Sequence, residues 1–197
     1  MCCRRYSFAM SDDPFALQRR IHKKLLRERP SVANGMALTL EAIKAAGQAK
    51  AWSRLDGYDW TLAAEAYESW LRTVLEKSPL PESARAILVE APDVIFNPAE
   101  TGVFASPVFE PAALNCGHEN GLEWPVGDDG SNGIEWRTGV PVLEAALKRL
   151  GWRDGQAREE IGDALEPGVF ALAHALATLL ALNVLPRLGV LLAPDAA

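Results

Sequence analysis

The apolar stretch from Val169 to Leu185 (VFALAHALATLLALNVL) constrains the fold more strongly than any other part of the chain. It falls short of the roughly 20 residues that a membrane-spanning helix needs, and it contains the polar residues His174 and Asn183. A helix that is apolar on every side is typical of the centre of a protein core. We therefore expect a helix buried in the core or in a subunit interface, and no membrane partner. Contact with a membrane is the alternative.

The other helices are predicted from apolar periodicity and from residues that start or end helices. Leu17, Ile21 and Leu25 recur every four residues and predict a first helix from Pro14 to just before Pro30. Further helices are predicted over residues 32–52, 59–77, 141–150 and 155–165. The buried side of the helix over residues 59–77 is expected to consist of Leu62, Ala66, Trp70 and Val74.

Short β-prone runs between prolines predict a few short strands over residues 84–125. The clearest signal is the near-repeat of Leu122-Glu123-Trp124 as Ile134-Glu135-Trp136, with the turn-forming GDDGSNG between the two copies. Folded as an antiparallel hairpin, these segments would place Trp124 opposite Trp136. We expect the protein core to cover that aromatic face. An exposed binding surface is the alternative.

The order of the predicted elements is helices, then strands, then helices, which favours the α+β class over a parallel βαβ sheet. We expect one predominantly helical domain over residues 13–190, with a small antiparallel β element and a buried apolar C-terminal helix. Residues 1–12 and 191–197 are expected to be loose tails, and Met10 is an alternative start of the protein.

The cysteines indicate a reducing compartment. Cys2 and Cys3 are adjacent and Cys116 stands alone, so they do not form a disulfide framework. We therefore expect a cytoplasmic protein. The final Ala196-Ala197 resembles the tails that bacterial AAA+ proteases engage, and this resemblance implies a protein whose level is controlled by degradation.

Charge is distributed unevenly along the chain. The first 29 residues hold eight basic and three acidic residues, a net charge of +5, so the remainder carries −11 of the total of −6. A basic end on an acidic body suggests charge-guided docking on a partner or on a second copy. Direct binding of nucleic acid is not favoured, because the basic helix lacks interleaved aromatic residues for base stacking. Its basic residues are Arg19, Arg20, Lys23, Lys24 and Arg27.

The chain lacks the common catalytic motifs, namely GxxxxGK[ST], GxSxG, HExxH and CxxC. The best enzymatic alternative is the loop that contains Cys116, His118 and Glu119, where an imidazole could stabilise a thiolate nucleophile. The same loop could hold a metal ion, but it lacks an obvious second pair of ligands. We expect a polar loop there, without a cofactor or metal, and regard an enzyme or metal-binding protein as the alternative.

The segment Gln48-Ala49-Lys50-Ala51-Trp52 resembles the peptide motif with which bacterial proteins bind the DNA sliding clamp. That motif begins with glutamine and ends with an aliphatic residue followed by phenylalanine or leucine. The resemblance implies that Gln48 would contact the rim of the clamp pocket, while Ala51, Trp52 and Leu55 would fill it. The match departs from the motif, because alanine replaces leucine at the fourth position and tryptophan replaces phenylalanine at the fifth.

These patterns favour a non-enzymatic protein that regulates or inhibits a larger protein partner by docking on it. The most concrete prediction is a toxin-like protein that binds the sliding clamp through residues 48–55 and thereby excludes replication proteins. An antitoxin or a protease adaptor is expected as a further partner. Besides the enzyme, a second alternative is an acidic immunity or antitoxin-type protein, whose acidic surface would form the contact with its partner.

Overall fold

A long apolar helix lies at the centre of the computed structural model, which describes residues 15–47, 49–92, 100–106, 137–151 and 166–189. This helix, α6 (Glu166–Val184), contacts helices from both the N-terminal and the middle parts of the chain. Its leucines Leu172, Leu176 and Leu179 are completely buried. The prediction of a buried, apolar C-terminal helix is therefore confirmed.

The span from Pro167 to Leu188 is also long and apolar enough to cross a membrane, judged by length and composition among the described residues. However, 67% of its most apolar window is buried inside the protein. A core helix that is apolar all round has this property.

Five shorter helices are described besides α6, and two of them end as their sequences predict. They are α1 (Ala16–Glu28), α2 (Val32–Ala46), α3 (Ala49–Trp52), α4 (Thr61–Lys77) and α5 (Pro141–Leu150). Pro30 lies just beyond α1, and Gly151 ends α5 at φ 104°, a left-handed conformation that glycine adopts without strain. Single 3-10 turns follow α3 at Ser53–Leu55 and α6 at Leu185–Leu188.

A close approach between α2 and α6 depends on a glycine. A Cβ atom at Gly35 would lie 2.3 Å from Cδ2 of Leu179, so a larger residue there would push the two helices apart. Met36, Leu40 and Ile43 continue the buried side of α2. They belong to one connected hydrophobic cluster, which also includes buried residues from α1, α4, α5 and α6.

A small antiparallel sheet completes the described architecture. Its strands β1 (Ala86–Val89), β2 (Glu100–Ser106) and β3 (Arg137–Gly139) lie in the order β1-β2-β3. Val89 pairs with Val103, and Glu100 pairs with Gly139. The predominantly helical α+β class with a small antiparallel sheet is therefore confirmed.

Two predictions about helices are wrong. The helix predicted over residues 32–52 ends at Ala46, because Gly47 takes φ 154° and ψ 172°, and a separate short helix begins at Ala49. The buried side of α4 is rotated from the predicted one. Of the four predicted residues, Val74 is buried and Trp70 is half-buried, whereas Leu62 and Ala66 are exposed. Ala63, Ala64, Tyr67 and Leu71 complete the buried side.

Several other predictions lie outside the described residues. They are the Trp124/Trp136 hairpin, the helix over residues 155–165, and the tails over residues 1–12 and 191–197.

Candidate docking surfaces

Helix α1 has one buried side and one strongly basic side. Ile21 and Leu25 are buried against the core, which fixes the orientation of the helix. The opposite side is exposed and carries Arg19, Arg20, Lys23, Lys24 and Arg27. Arg27 pairs with the neighbouring Glu28 at 3.0 Å. The first turn of α1 contains no acidic residue, and Glu28 in the last turn is the one acidic residue of this helix.

An apolar groove opens between α1 and α2, directly beside this basic side. Its volume is about 330 Å³. Arg20 and Lys24 of α1 line one wall, and Ile21 and Leu25 lie deeper within it. The facing wall belongs to α2 and consists of Leu38, Thr39, Ala42 and Ala45. Small residues on that wall leave the groove open, and the Thr39 hydroxyl is already satisfied because it donates to the Gly35 carbonyl at 2.8 Å.

At the end of α2, one lysine is shared by two carboxylates. Lys44 forms ion pairs with Asp56 and with Glu41. The hydrogen bond with Asp56, and to a smaller extent that with Glu41, raises the pKa of Lys44. The Lys44 ammonium group is therefore already engaged by these two carboxylates. In contrast, Arg20, Lys23 and Lys24 form no ion pair within the described part of the chain.

The segment predicted to bind a sliding clamp is packed into the core. Trp52 is only 1% exposed and Leu55 is completely buried, whereas Ala51 is half-buried. The Trp52 indole packs against Gly168 of α6 and lies beside Ile43 of α2. A Cβ atom at Gly168 would collide with both the indole and the Ile43 side chain. Gln48 lies outside the described residues. In this conformation Trp52 and Leu55 are unavailable to an outside pocket.

Polar contacts also fasten the segment around Trp52 to its neighbours. Arg54 donates to the Leu150 carbonyl of α5 at 3.4 Å, and Asp56 pairs with Lys44 of α2. Just beyond, the Tyr58 hydroxyl donates to the Val142 carbonyl at 2.8 Å. Release of residues 49–55 would therefore break contacts with α2, α5 and α6.

A polar cluster lies between α1 and α6. His22 Nδ1 is 3.0 Å from Thr178 Oγ1, and the Thr178 hydroxyl donates to the His174 carbonyl at 2.8 Å. Because the hydroxyl has one proton, its oxygen accepts from Nδ1–H of His22. Burial lowers the pKa of His22, and burial together with the nearby His22 lowers the pKa of His174. Both imidazoles therefore lose their proton more readily than an unperturbed histidine.

The enzymatic alternative cannot be placed in this architecture. Cys116, His118 and Glu119 all lie outside the described residues, so their proposed chemistry stays a prediction. Among residues 15–47, 49–92, 100–106, 137–151 and 166–189, no group of three or more His, Cys, Asp or Glu side chains could hold a metal ion.

The sequence pattern did not lead to a prediction of the groove, although α2 carries a second apolar stripe that indicates it. Leu38, Ala42 and Ala45 recur at i, i+4 and i+7, parallel to the core stripe of Met36, Leu40 and Ile43. A helix with two apolar stripes has more apolar surface than one core contact covers. The second stripe could therefore have been predicted to form a contact of its own.

Comparison of the chain with models of protein families, with curated proteins and with solved structures found no match.

Proposed function

We propose that the chain is a binding protein that regulates or inhibits a larger protein partner by occupying part of its surface, without catalysing a reaction. The observation that carries this proposal is the exposed basic side of α1 beside an open apolar groove. On a chain with a net charge of −6, such a concentrated basic surface favours a directed encounter with an acidic partner.

The groove and the charges make different contributions to such an encounter. Complementary charges raise the rate of association and orient the partner, while apolar burial in the groove supplies affinity. Neither contribution needs a reactive side chain. Occupying a surface that another protein uses is enough to inhibit that protein.

The sliding clamp is the most concrete candidate for the partner, because residues 48–52 resemble its binding motif. Such binding would require residues 49–55 to leave the core, since Trp52 and Leu55 are buried. Truncating a buried tryptophan costs about 3–5 kcal/mol, and exposing it costs a comparable amount. Clamp binding would therefore take place through a sparsely populated open form.

The proposal is tested by co-purification from cells that naturally make the protein, with the intact chain as bait and quantitative mass spectrometry as readout. The expected result is a stoichiometric protein partner that is released as salt is raised, because exposed charges are screened. Reconstitution with the purified partner should give a one-to-one complex by analytical ultracentrifugation. A bait that retains no partner at stoichiometric level would overturn the proposal.

A further inference from the structure

We propose that the groove between α1 and α2 binds an acidic amphipathic helix of the partner protein. This inference rests on the proposed function, and it names the surface and the chemistry of the contact. It does not involve residues 48–55, so it stands independently of the sliding clamp.

The shape of the groove suits side chains on a helix. Its volume of about 330 Å³ lies at the lower end of the range of roughly 300–1,000 Å³ for ligand pockets. The groove follows two helices, and Leu38, Ala42 and Ala45 line it over two helical turns. A partner helix that lies along this groove would insert apolar residues at i, i+4 and i+7.

The rim of the groove, formed by the exposed Arg20 and Lys24, favours a partner helix with negative charge. Arg20 and Lys24 are one turn apart, about 6 Å along the axis of α1, and both are exposed at the groove. Acidic residues one turn apart on a partner helix would face them. Glu41 of α2 is not among the residues that line the groove, and it shares Lys44 with Asp56.

The same features disfavour the other anionic partners. A nucleic acid would contact the rim through its phosphates, but within the described part of the chain no aromatic side chain lines the groove for base stacking. A membrane is flat, whereas the apolar residues Ile21 and Leu25 lie below the level of the charged rim. A helix with an apolar ridge and acidic flanks matches both the floor and the rim.

The test uses a fluorescein-labelled helical peptide of about four turns, with leucine at i, i+4 and i+7 and glutamate on both flanks. Binding to the full-length protein is measured by fluorescence anisotropy. One control peptide has the same composition in scrambled order, and another has lysine in place of glutamate. Vesicles that contain phosphatidylserine and a short DNA duplex serve as competing anionic probes.

Three protein variants separate the groove from general charge. Arg20→Glu combined with Lys24→Glu reverses the rim, and Ala42→Trp fills the groove. The matched control combines Lys77→Glu with Arg85→Glu, which changes the net charge equally at exposed positions outside the groove and outside α1. Circular dichroism and thermal melting confirm that each variant is folded.

The expected result is binding of the amphipathic acidic peptide alone, weakened about tenfold or more by either groove variant and little changed by the control. Equal binding of the scrambled peptide, stronger binding of vesicles or DNA, or unchanged binding by the groove variants would overturn the inference. If a native partner co-purifies but the groove variants still bind it, the inference fails and the proposed function survives. If no partner co-purifies, the proposed function itself fails.

Discussion

Gly168 lies so close to Trp52 that a Cβ atom at this glycine would be 2.4 Å from Cζ2 of the indole. The same Cβ atom would be 2.9 Å from Cγ2 of Ile43. The start of α6 thus closes over the short α3 helix and the end of α2. If residues 49–55 left the core, this contact between Trp52 and α6 would be broken.

The first prediction concerns this contact. Replacing glycine by alanine inside a helix normally stabilises it by about 0.5–1 kcal/mol. Gly168→Ala is expected to do the opposite and lower the free energy of unfolding by about 1–3 kcal/mol, because the indole ring and a buried β-branched residue must move. Urea denaturation measures the change. The control is Ala66→Gly, at an exposed position of α4, which reports helix propensity alone. A Gly168→Ala protein as stable as the wild type would contradict the close packing of Gly168 against Trp52.

The second prediction concerns the sliding clamp. If residues 48–55 bind it, a free peptide over residues 46–57 should bind purified clamp at least about a hundredfold more tightly than the intact protein, because the peptide need not expose Trp52. Gln48→Ala should weaken both forms. Trp52→Phe should reduce the difference in affinity between the peptide and the intact protein, because phenylalanine matches the motif and its smaller ring loosens the core. These affinities can be measured by competition for the clamp pocket.

Two results would oppose the clamp prediction in different ways. Equal binding by the peptide and the intact protein would show that no opening is required, in conflict with the burial of Trp52 and Leu55. A peptide that does not bind would remove residues 48–55 as a contact with the sliding clamp, and would leave the proposal for the groove between α1 and α2 unaffected.

The helices that were predicted well carry their boundaries in their own residues. Helix α5 begins at Pro141 and is followed by Gly151, and both residues act through local backbone geometry. Its buried leucines Leu143, Leu147 and Leu150 recur at helical spacing. Local chemistry was sufficient there.

Prediction failed where the outcome depends on distant residues. On α4, Leu62 and Tyr67 belong to neighbouring apolar stripes, and only the packing of other elements decides which stripe is buried. The clamp-like peptide shows the same limit. The linear motif shows only that a tryptophan is present at position 52. The indole is buried because Gly168 of α6, which is distant in sequence, leaves room for it. Local periodicity does not contain that information.

The third prediction concerns the hydroxyl of Tyr67. It is buried and has no hydrogen-bond partner in the described part of the chain, and burial raises its pKa. A buried unsatisfied polar group costs about 1–3 kcal/mol. Tyr67→Phe is therefore expected to leave stability unchanged or to raise it by about 1 kcal/mol, as measured by urea denaturation.

A second tyrosine supplies the control for this substitution. The Tyr58 hydroxyl donates to the Val142 carbonyl at 2.8 Å. Tyr58→Phe keeps the ring beneath Arg149 but removes this hydrogen bond, so it should lower stability by about 1 kcal/mol. If Tyr67→Phe proved the more harmful of the two, its hydroxyl would have a partner after all.

The last prediction is a loss of stability in mild acid, caused by His22 and His174 between α1 and α6. Both have a lowered pKa in the folded protein, so the unfolded chain binds more protons as the pH falls through the ordinary value of 6.5. Their contribution to stability is complete above pH 6.5 and is lost below it.

The carboxylates with a lowered pKa titrate at a lower pH than the two histidines. The pKa of Glu68 is lowered by hydrogen bonds with Arg187 and then Arg72, and the pKa of Asp59 is lowered by hydrogen bonds with Thr61. Both start from ordinary values of 4.5 or less, so they stay ionised above pH 5. We expect the melting temperature to fall between about pH 7.5 and pH 5. In the His22→Gln/His174→Gln double variant this fall in melting temperature should be largely removed. A wild-type slope in the double variant would show that the α1–α6 contact does not respond to pH.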